Sequence, residues 1–176
     1  MYHWAAVQLA GAGFFHYEIS NWARWPVDHA PVPWWPAGHA PAASETLSPH
    51  VARHNLIYWR NRPWVGLGAG AHSWLGGSLA GEETGTRCSN LLHPRDYIAA
   101  LKDNRSPADQ RETIDRALEM GETMMLGLRL AEGVTAARFE ERFGVGLTEV
   151  FGDALADLAG QGLLDWDGQV ARLSDT

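Results

Sequence analysis

Residues 53–76, RHNLIYWRNRPWVGLGAGAHSWLG, hold two histidines, three tryptophans and four glycines in 24 positions. An ordinary core segment has no need of so much ring chemistry beside so much bare backbone. His54 and Asn55 stand four residues ahead of Tyr58 and Trp59, and Gly66, Gly68 and Gly70 alternate through a run that otherwise reads as a buried strand. Glycine inside a strand pattern marks the close approach of another backbone or a ligand, because a side chain there would be in the way. Residues 66–71, GLGAGA, also match the dinucleotide fingerprint G-x-G-x-x-G/A. That fingerprint requires a helix directly after it, whose N-terminus holds the pyrophosphate. The continuation here, His72-Ser73-Trp74-Leu75-Gly76-Gly77, is poor helix, which argues against nucleotide binding of that type.

Upstream, residues 2–12 predict the end of a helix, with Trp4, Val7 and Ala10 at helical spacing and Gly11 and Gly13 as stop signals. A strand is expected over residues 14–20, with Phe15, Tyr17 and Ile19 on one face and Phe14, His16, Glu18 and Ser20 on the other. Helix, Gly-rich turn and strand in that order form the αβ unit of a parallel barrel or open sheet. At the C-terminal end of such a strand Glu18, Ser20 and Asn21 either face substrate or cofactor at the barrel mouth or simply satisfy turn backbone. Residues 25–49 then carry six prolines with Trp34-Trp35, and His29, His39 and His50 lie in or next to this run. Proline at that density excludes a helix or central strand. Histidine spacings of ten and eleven match no compact metal motif, so the segment reads as a surface loop rather than a lid or metal site.

Downstream, a Gly-rich turn region over 75–85 leads to a short strand at 86–90 and a helix over 93–102 opened by Pro94. Residues 105–108 read as a link. Ile114, Ala117, Leu118, Gly121, Met125 and Leu128 form an apolar stripe predicting a helix over about 111–130. Thr135 caps a short helix with Phe139 and Phe143 on one face and Gly144 at its end. A further helix over 148–161 turns Phe151, Leu155 and Leu158 inward. Asp167-Gly168 is a two-residue hairpin signal within 163–173. Three helices followed by a hairpin predict a winged helix.

Charge divides the chain in the same place. Residues 1–100 hold six acidic and six basic groups, and residues 101–176 fifteen acidic and eight basic, so the net charge of −7 lies wholly in the second part. All eight histidines precede residue 94. The expected organisation is therefore residues 1–104 and 105–176 as two units. Lys102 is the only lysine, and an acidic winged helix is poorly suited to DNA, whose binding depends on cations neutralising phosphates. Covering a barrel mouth or docking a protein partner suits it better. The single cysteine, Cys88, excludes an intrachain disulfide and a cysteine-ligated iron–sulfur cluster held by this chain alone, and fits a reducing, cytoplasmic setting. No apolar run of about eighteen residues is present to span a membrane.

The words HNLIYW and GLGAGAH, with Tyr17-Glu18-Ile19-Ser20-Asn21, Ala23 and Arg24 upstream and Arg87, Asn90 and Pro94 downstream, resemble the C-terminal portion of the oxygen-independent coproporphyrinogen III oxidase-like radical SAM proteins. The likeness is greater to the heme chaperone branch. The resemblance implies the last strands and helices of a partial (β/α) barrel followed by the winged helix, and a parent protein that binds a [4Fe-4S] cluster, S-adenosylmethionine and a tetrapyrrole. The cysteine triplet C-x-x-x-C-x-x-C that holds the cluster in that family is missing here, so this chain alone is expected to be inactive in radical chemistry. By the same resemblance His54 is the expected ligand of heme iron, with Asn55, Tyr58 and Trp59 completing the heme contact and Arg53, Arg60 or Arg62 near the propionates. Glu18, Ser20, Asn21, Gly66, Gly68, Gly70, His72 and Ser73 are the implied cofactor or substrate contacts, with residues 66–71 as a late barrel strand. The implied function is heme binding and delivery to an acceptor protein. The alternatives are coproporphyrinogen III dehydrogenase and a non-enzymatic heme-binding or docking module.

Overall fold

A computed structural model describes residues 2–24 and 50–174, so the Pro-rich segment with Trp34, Trp35, His29 and His39 lies outside the described residues. Helix α1 (Tyr2–Gly11) leads through the Ala12-Gly13 turn into β1 (Phe14–Glu18), which folds straight back on β2 (Asn21–Arg24). This pairing is antiparallel, where the helix–turn–strand order predicts a parallel unit. Glu18 accounts for the reversal: its carboxylate accepts from the Ser20 N–H at 3.1 Å and from the Asn21 side-chain amide, closing the turn. Trp4 and Val7 of α1, the apolar residues at helical spacing, are exposed.

The 53–76 stretch breaks into a helix, a loop and a strand. Helix α2 spans Arg53–Trp59, and β3 spans His72–Gly76. Between them residues 66–71 form a loop, not the expected strand. Gly68 and Gly70 have φ of 109° and 68°, a left-handed geometry open mainly to glycine, which breaks any extended run. Strand β3 pairs antiparallel with β4 (Gly85–Asn90), and β4 pairs with β5 (Ala108–Ile114). Every strand pairing among the described residues is antiparallel. Helix α3 (Pro94–Lys102) connects β4 to β5 and starts at Pro94 as its sequence predicts.

Strand β5 occupies residues read from sequence as a link and the start of a long helix. Its ADQRETI alternates weakly and faces solvent along most of its length, with only Ile114 fully buried, so no periodic signal marks it. Helix α4 therefore begins later, at Arg116–Gly127, where Asp115 caps it by accepting from the Leu118 N–H at 2.8 Å. Its inner face also differs from the expected one. Leu118 and Met125 are exposed, while Met120 and Met124 join the expected Leu128 at the core and Glu119 is buried.

The rest of the C-terminal part follows its pattern closely. After β6 (Val134–Thr135), Thr135 caps α5 (Ala136–Phe143), and Gly144 ends it in a left-handed conformation. Helix α6 (Leu147–Gly160) leads to the hairpin β7 (Leu164–Trp166) and β8 (Val170–Leu173). The three strands lie in the order β6-β8-β7. Asp167 holds the hairpin turn by accepting from the N–H groups of Gln169 and Val170. The core here is Met124, Phe139, Phe143, Leu147, Leu155 and Leu164. A second core joins Phe15, Tyr17, Val51 and Leu56 to Leu130 at the end of α4, and the Ala131 N–H donates to the Tyr17 carbonyl at 3.0 Å. The hydrophobic interior thus crosses from the strands of the first part to the helices of the second.

Candidate functional site

Helix α2 carries all four expected heme contacts, and helical geometry sorts them into two pairs. His54 and Tyr58 share one face and Asn55 and Trp59 the next, about 100° around the axis. His54 is exposed, and its ring meets the Tyr58 ring edge-on at 4.9 Å, with Nε2 3.0 Å from the Tyr58 hydroxyl. Tyr58 in turn meets Trp64 edge-on at 4.9 Å. Trp64, which the sequence argument did not single out, is therefore the ring beside Tyr58, whereas Trp59 turns toward the Phe15–Leu130 core and takes the Arg129 guanidinium over its face at 5.2 Å. Arg53 is exposed at the first turn of α2. Arg60 is engaged with Glu132 through two hydrogen bonds at 2.9 and 3.2 Å.

The second set of expected contacts is occupied with its own backbone. Glu18 is 1% exposed and serves Ser20 and Asn21 in the β1–β2 turn, the structural role left open from sequence. Gly66 admits no side chain, because a Cβ there would strike the His72 carbonyl. The Gly66 N–H donates to the Ser73 hydroxyl at 2.9 Å, and the Gly68 N–H to the Tyr97 hydroxyl at 3.2 Å. The Asn90 amide donates to the carbonyls of Gly66 and Gly68 at 3.3 and 2.9 Å. His72 is exposed at the start of β3 while Ser73 is buried. The close approach inferred from the alternating glycines is met at Gly66, where the neighbour is the chain's own backbone, whereas a Cβ at Gly68 would meet nothing within 4 Å.

A network absent from the sequence reading joins α2 to the C-terminal helices. Arg142, 8% exposed, pairs at 2.7 Å with Glu119, 1% exposed. It also donates to the carbonyls of Arg60 and Asn61 at 3.2 and 2.9 Å, satisfying orphan acceptors just past the end of α2. Glu119 accepts in addition from the backbone and hydroxyl of Ser78 at 3.0 and 2.6 Å. Asn61, buried at a φ of 46°, donates to the Thr123 hydroxyl at 3.2 Å. Burial lowers the Arg142 pKa from its ordinary value; the hydrogen bond and charge of Glu119 oppose that, and the nearby positive charge of Arg62 adds to it. No sequence signal marks this network, since Glu119 reads as an ordinary carboxylate on a helix.

Between α2 and the α4–α5 helices lies an open cleft of about 500 Å³, lined by Trp59, Arg62, Leu79, Leu130, Arg138 and Phe139 among others. No cluster of three or more histidine, cysteine, aspartate or glutamate side chains placed to hold a metal occurs among the described residues. Nor is any described helix long and apolar enough to cross a membrane.

Comparison with known proteins places this geometry. Residues 114–176 match the family model of the HemN C-terminal domain. The chain is 30% identical over 151 residues to the heme chaperone HemW of Bacillus subtilis (strain 168), covering 86% of this chain and 32% of that protein. It is 34% identical over 130 residues to the heme chaperone HemW of Synechocystis sp., covering 74% and 24% respectively. A relative from Danio rerio, the mitochondrial radical S-adenosyl methionine domain-containing protein 1, is 27% identical over 140 residues, covering 80% and 26%. Among solved structures, Escherichia coli coproporphyrinogen III oxidase (HemN), a radical SAM enzyme, superposes with a TM-score of 0.61 at 16% identity over 98% of this chain and 36% of that one. The chain spans about a third of the length of the curated relatives it matches. The resemblance read from the sequence is borne out for the C-terminal portion of the family, and the chain has the mixed α/β fold of the corresponding region of HemN.

Proposed function

We propose that this chain is the C-terminal portion of a heme chaperone-like radical SAM protein, acting in the cytoplasm, that holds heme through His54 and passes it to an acceptor protein. The observation that carries the reading is an exposed imidazole on α2 that meets the Tyr58 ring edge-on, with Trp64 against Tyr58 in turn and the exposed Arg53 next to it in the chain. Heme, as cargo, asks for an imidazole nitrogen as axial ligand and an aromatic surface for the macrocycle; the face of α2 that bears His54 carries an exposed imidazole with aromatic rings beside it. Of the arginines considered for the propionates, Arg53 stands exposed next to His54 in the chain, whereas Arg60 is held by Glu132 and Arg62 lines the cleft between α2 and the α4–α5 helices. The curated relatives named as heme chaperones support this reading over coproporphyrinogen III dehydrogenase. In this reading strands β1 to β4 continue a partial barrel over residues 1–104, and residues 105–176, which begin with β5 paired to β4, form a winged helix that docks protein rather than DNA.

The residues of this chain do not fit a [4Fe-4S] cluster. Cys88 is the sole cysteine, on strand β4, and three thiolates are needed. S-adenosylmethionine chemistry would therefore belong to a longer parent protein. The test is hemin titration of the folded chain. A one-to-one complex with a shifted Soret band is expected, lost in His54→Ala and weakened but spectrally unchanged in Tyr58→Ala. Unchanged spectrum and affinity in a folded His54→Ala protein would remove His54 from the reading.

A further inference from the structure

We propose that the cleft between the end of α2 and the α4–α5 helices is a second binding site, for a small carboxylate with an apolar body. Its wall lacks His54 and Tyr58, and of the residues the resemblance implied for heme only Trp59, Arg60 and Arg62 line it. The volume, about 500 Å³, falls in the range of sites that hold small organic ligands. Trp59, Leu79, Leu130, Val134 and Phe139 give it apolar surface, and the indole N–H of Trp59 has no acceptor among the described residues.

The charges around this cleft are unbalanced in a specific way. Arg60, Arg62, Arg138 and Arg142 face Glu132 and Glu141, with Glu119 behind Arg142. Glu132 is bound by Arg60 at 2.9 Å and has Arg138 at 3.6 Å, while Glu119 is bound by Arg142. Arg62 has no carboxylate within ion-pair distance among the described residues, and its charge acts against that of Arg142. Four guanidiniums line the cleft against the carboxylates of Glu132 and Glu141 and of Glu119 behind them, and Arg129 lies over the Trp59 ring, so positive charge is in excess here in a chain whose net charge is −7. An anion compensates that excess, and the apolar walls favour a carboxylate on an apolar body. The planar guanidinium fork of Arg62 suits a carboxylate in a two-point contact, and Arg138, 43% exposed at its side chain, can turn from Glu132 to share it.

The test uses 5-fluorotryptophan-labelled protein and fluorine NMR, with the Trp59 line assigned by Trp59→Phe. Titration with 1-naphthylacetate is expected to move that line saturably while the line of the fully buried Trp74 stays fixed. The neutral alcohol 2-(1-naphthyl)ethanol is expected to bind at least about tenfold more weakly, and Arg62→Ala to weaken the carboxylate by about the same factor, the loss of a charged hydrogen bond. His54→Ala should leave both affinities unchanged, which separates this site from the heme reading. Arg62 is exposed, so its removal should not disturb the fold; Arg62→Gln provides the same test with less change in volume. Equal affinity for acid and alcohol, equal affinity in both Arg62 variants and the parent, or no movement of the Trp59 line would overturn the proposal.

Discussion

The proposed axial ligand is not idle in the absence of cargo. His54 Nε2 lies 3.0 Å from the Tyr58 hydroxyl, so ligation of iron by that nitrogen must first break this contact. A neutral hydrogen bond contributes about 1 kcal/mol net, or roughly a fivefold effect on an equilibrium. Tyr58→Phe keeps the ring against His54 and Trp64 while removing the competitor, and is expected to tighten hemin binding several-fold with the same spectrum; unchanged or weaker binding would count against Nε2 as the ligating atom. A second residue-scale prediction concerns Arg142. Removing one partner of a buried ion pair leaves the other charge uncompensated, at a cost of about 3–5 kcal/mol. Arg142→Ala should therefore lower the denaturation midpoint strongly, whereas Arg142→Met combined with Glu119→Leu should recover most of the loss, since a well-packed apolar pair is often as stable. A double variant as unstable as the single one would mean that the contacts to the Arg60 and Asn61 carbonyls, not the pair, carry the effect. None of this was legible in sequence. A carboxylate on a helix reads as surface unless the cation that pairs with it is known, and Arg142 comes 23 residues later on a different helix.

Elements were legible where a local signal marks both ends. Helix α3 announces itself by Pro94, α5 by Thr135 and Gly144, and the last hairpin by Asp167-Gly168, and each forms where expected. Strand β5 escaped because its stability comes from pairing with β4 rather than from its own pattern. The stretch at residues 66–71 misled for a related reason. Alternating glycines imitate a strand, yet positive φ at Gly68 and Gly70 is a property of the loop that the periodicity cannot express. What the alternation did encode was crowding, and Gly66 is the position that tests it. A Cβ there would meet the His72 carbonyl, a backbone atom fixed by the β3–β4 ladder, so the strain cannot be relieved by a side-chain rotation. Gly66→Ala is expected to destabilise by about 1–3 kcal/mol, as for other overpacked sites, and to disturb the Ser73 and Asn90 contacts that clasp the loop. Gly68→Ala meets no atom but must adopt a φ of 109°, so it tests backbone strain alone. Thermal denaturation of the two variants separates these causes, and an unaffected Gly66→Ala would show the loop to be free to move away from β3.

At the scale of the molecule, the sequence separated two parts by charge, while the structure joins them through a shared core and the Arg142 network. The seam was invisible because its partners are far apart in the chain: Tyr17 with Ala131, Arg60 with Glu132, Arg87 with Glu122. The charge division still carries a functional consequence. Three helices followed by a hairpin often place their third helix in the DNA major groove, and here that helix would be α6. Its sequence, LTEVFGDALADLAG, has Glu149, Asp153 and Asp157 and no cation. Phosphate contacts by lysine and arginine supply most duplex affinity, and they strengthen as salt falls. For α6 the field has the opposite sign, so lowering salt lengthens the reach of a repulsion. The chain is therefore expected to leave the anisotropy of a fluorescein-labelled duplex unchanged both at about 150 mM salt and at about 20 mM, whereas a weak cationic binder would gain affinity at the lower concentration. Sequence-dependent binding at the higher salt would show that this helical part reads DNA despite its charge, and the protein-docking reading would have to be abandoned.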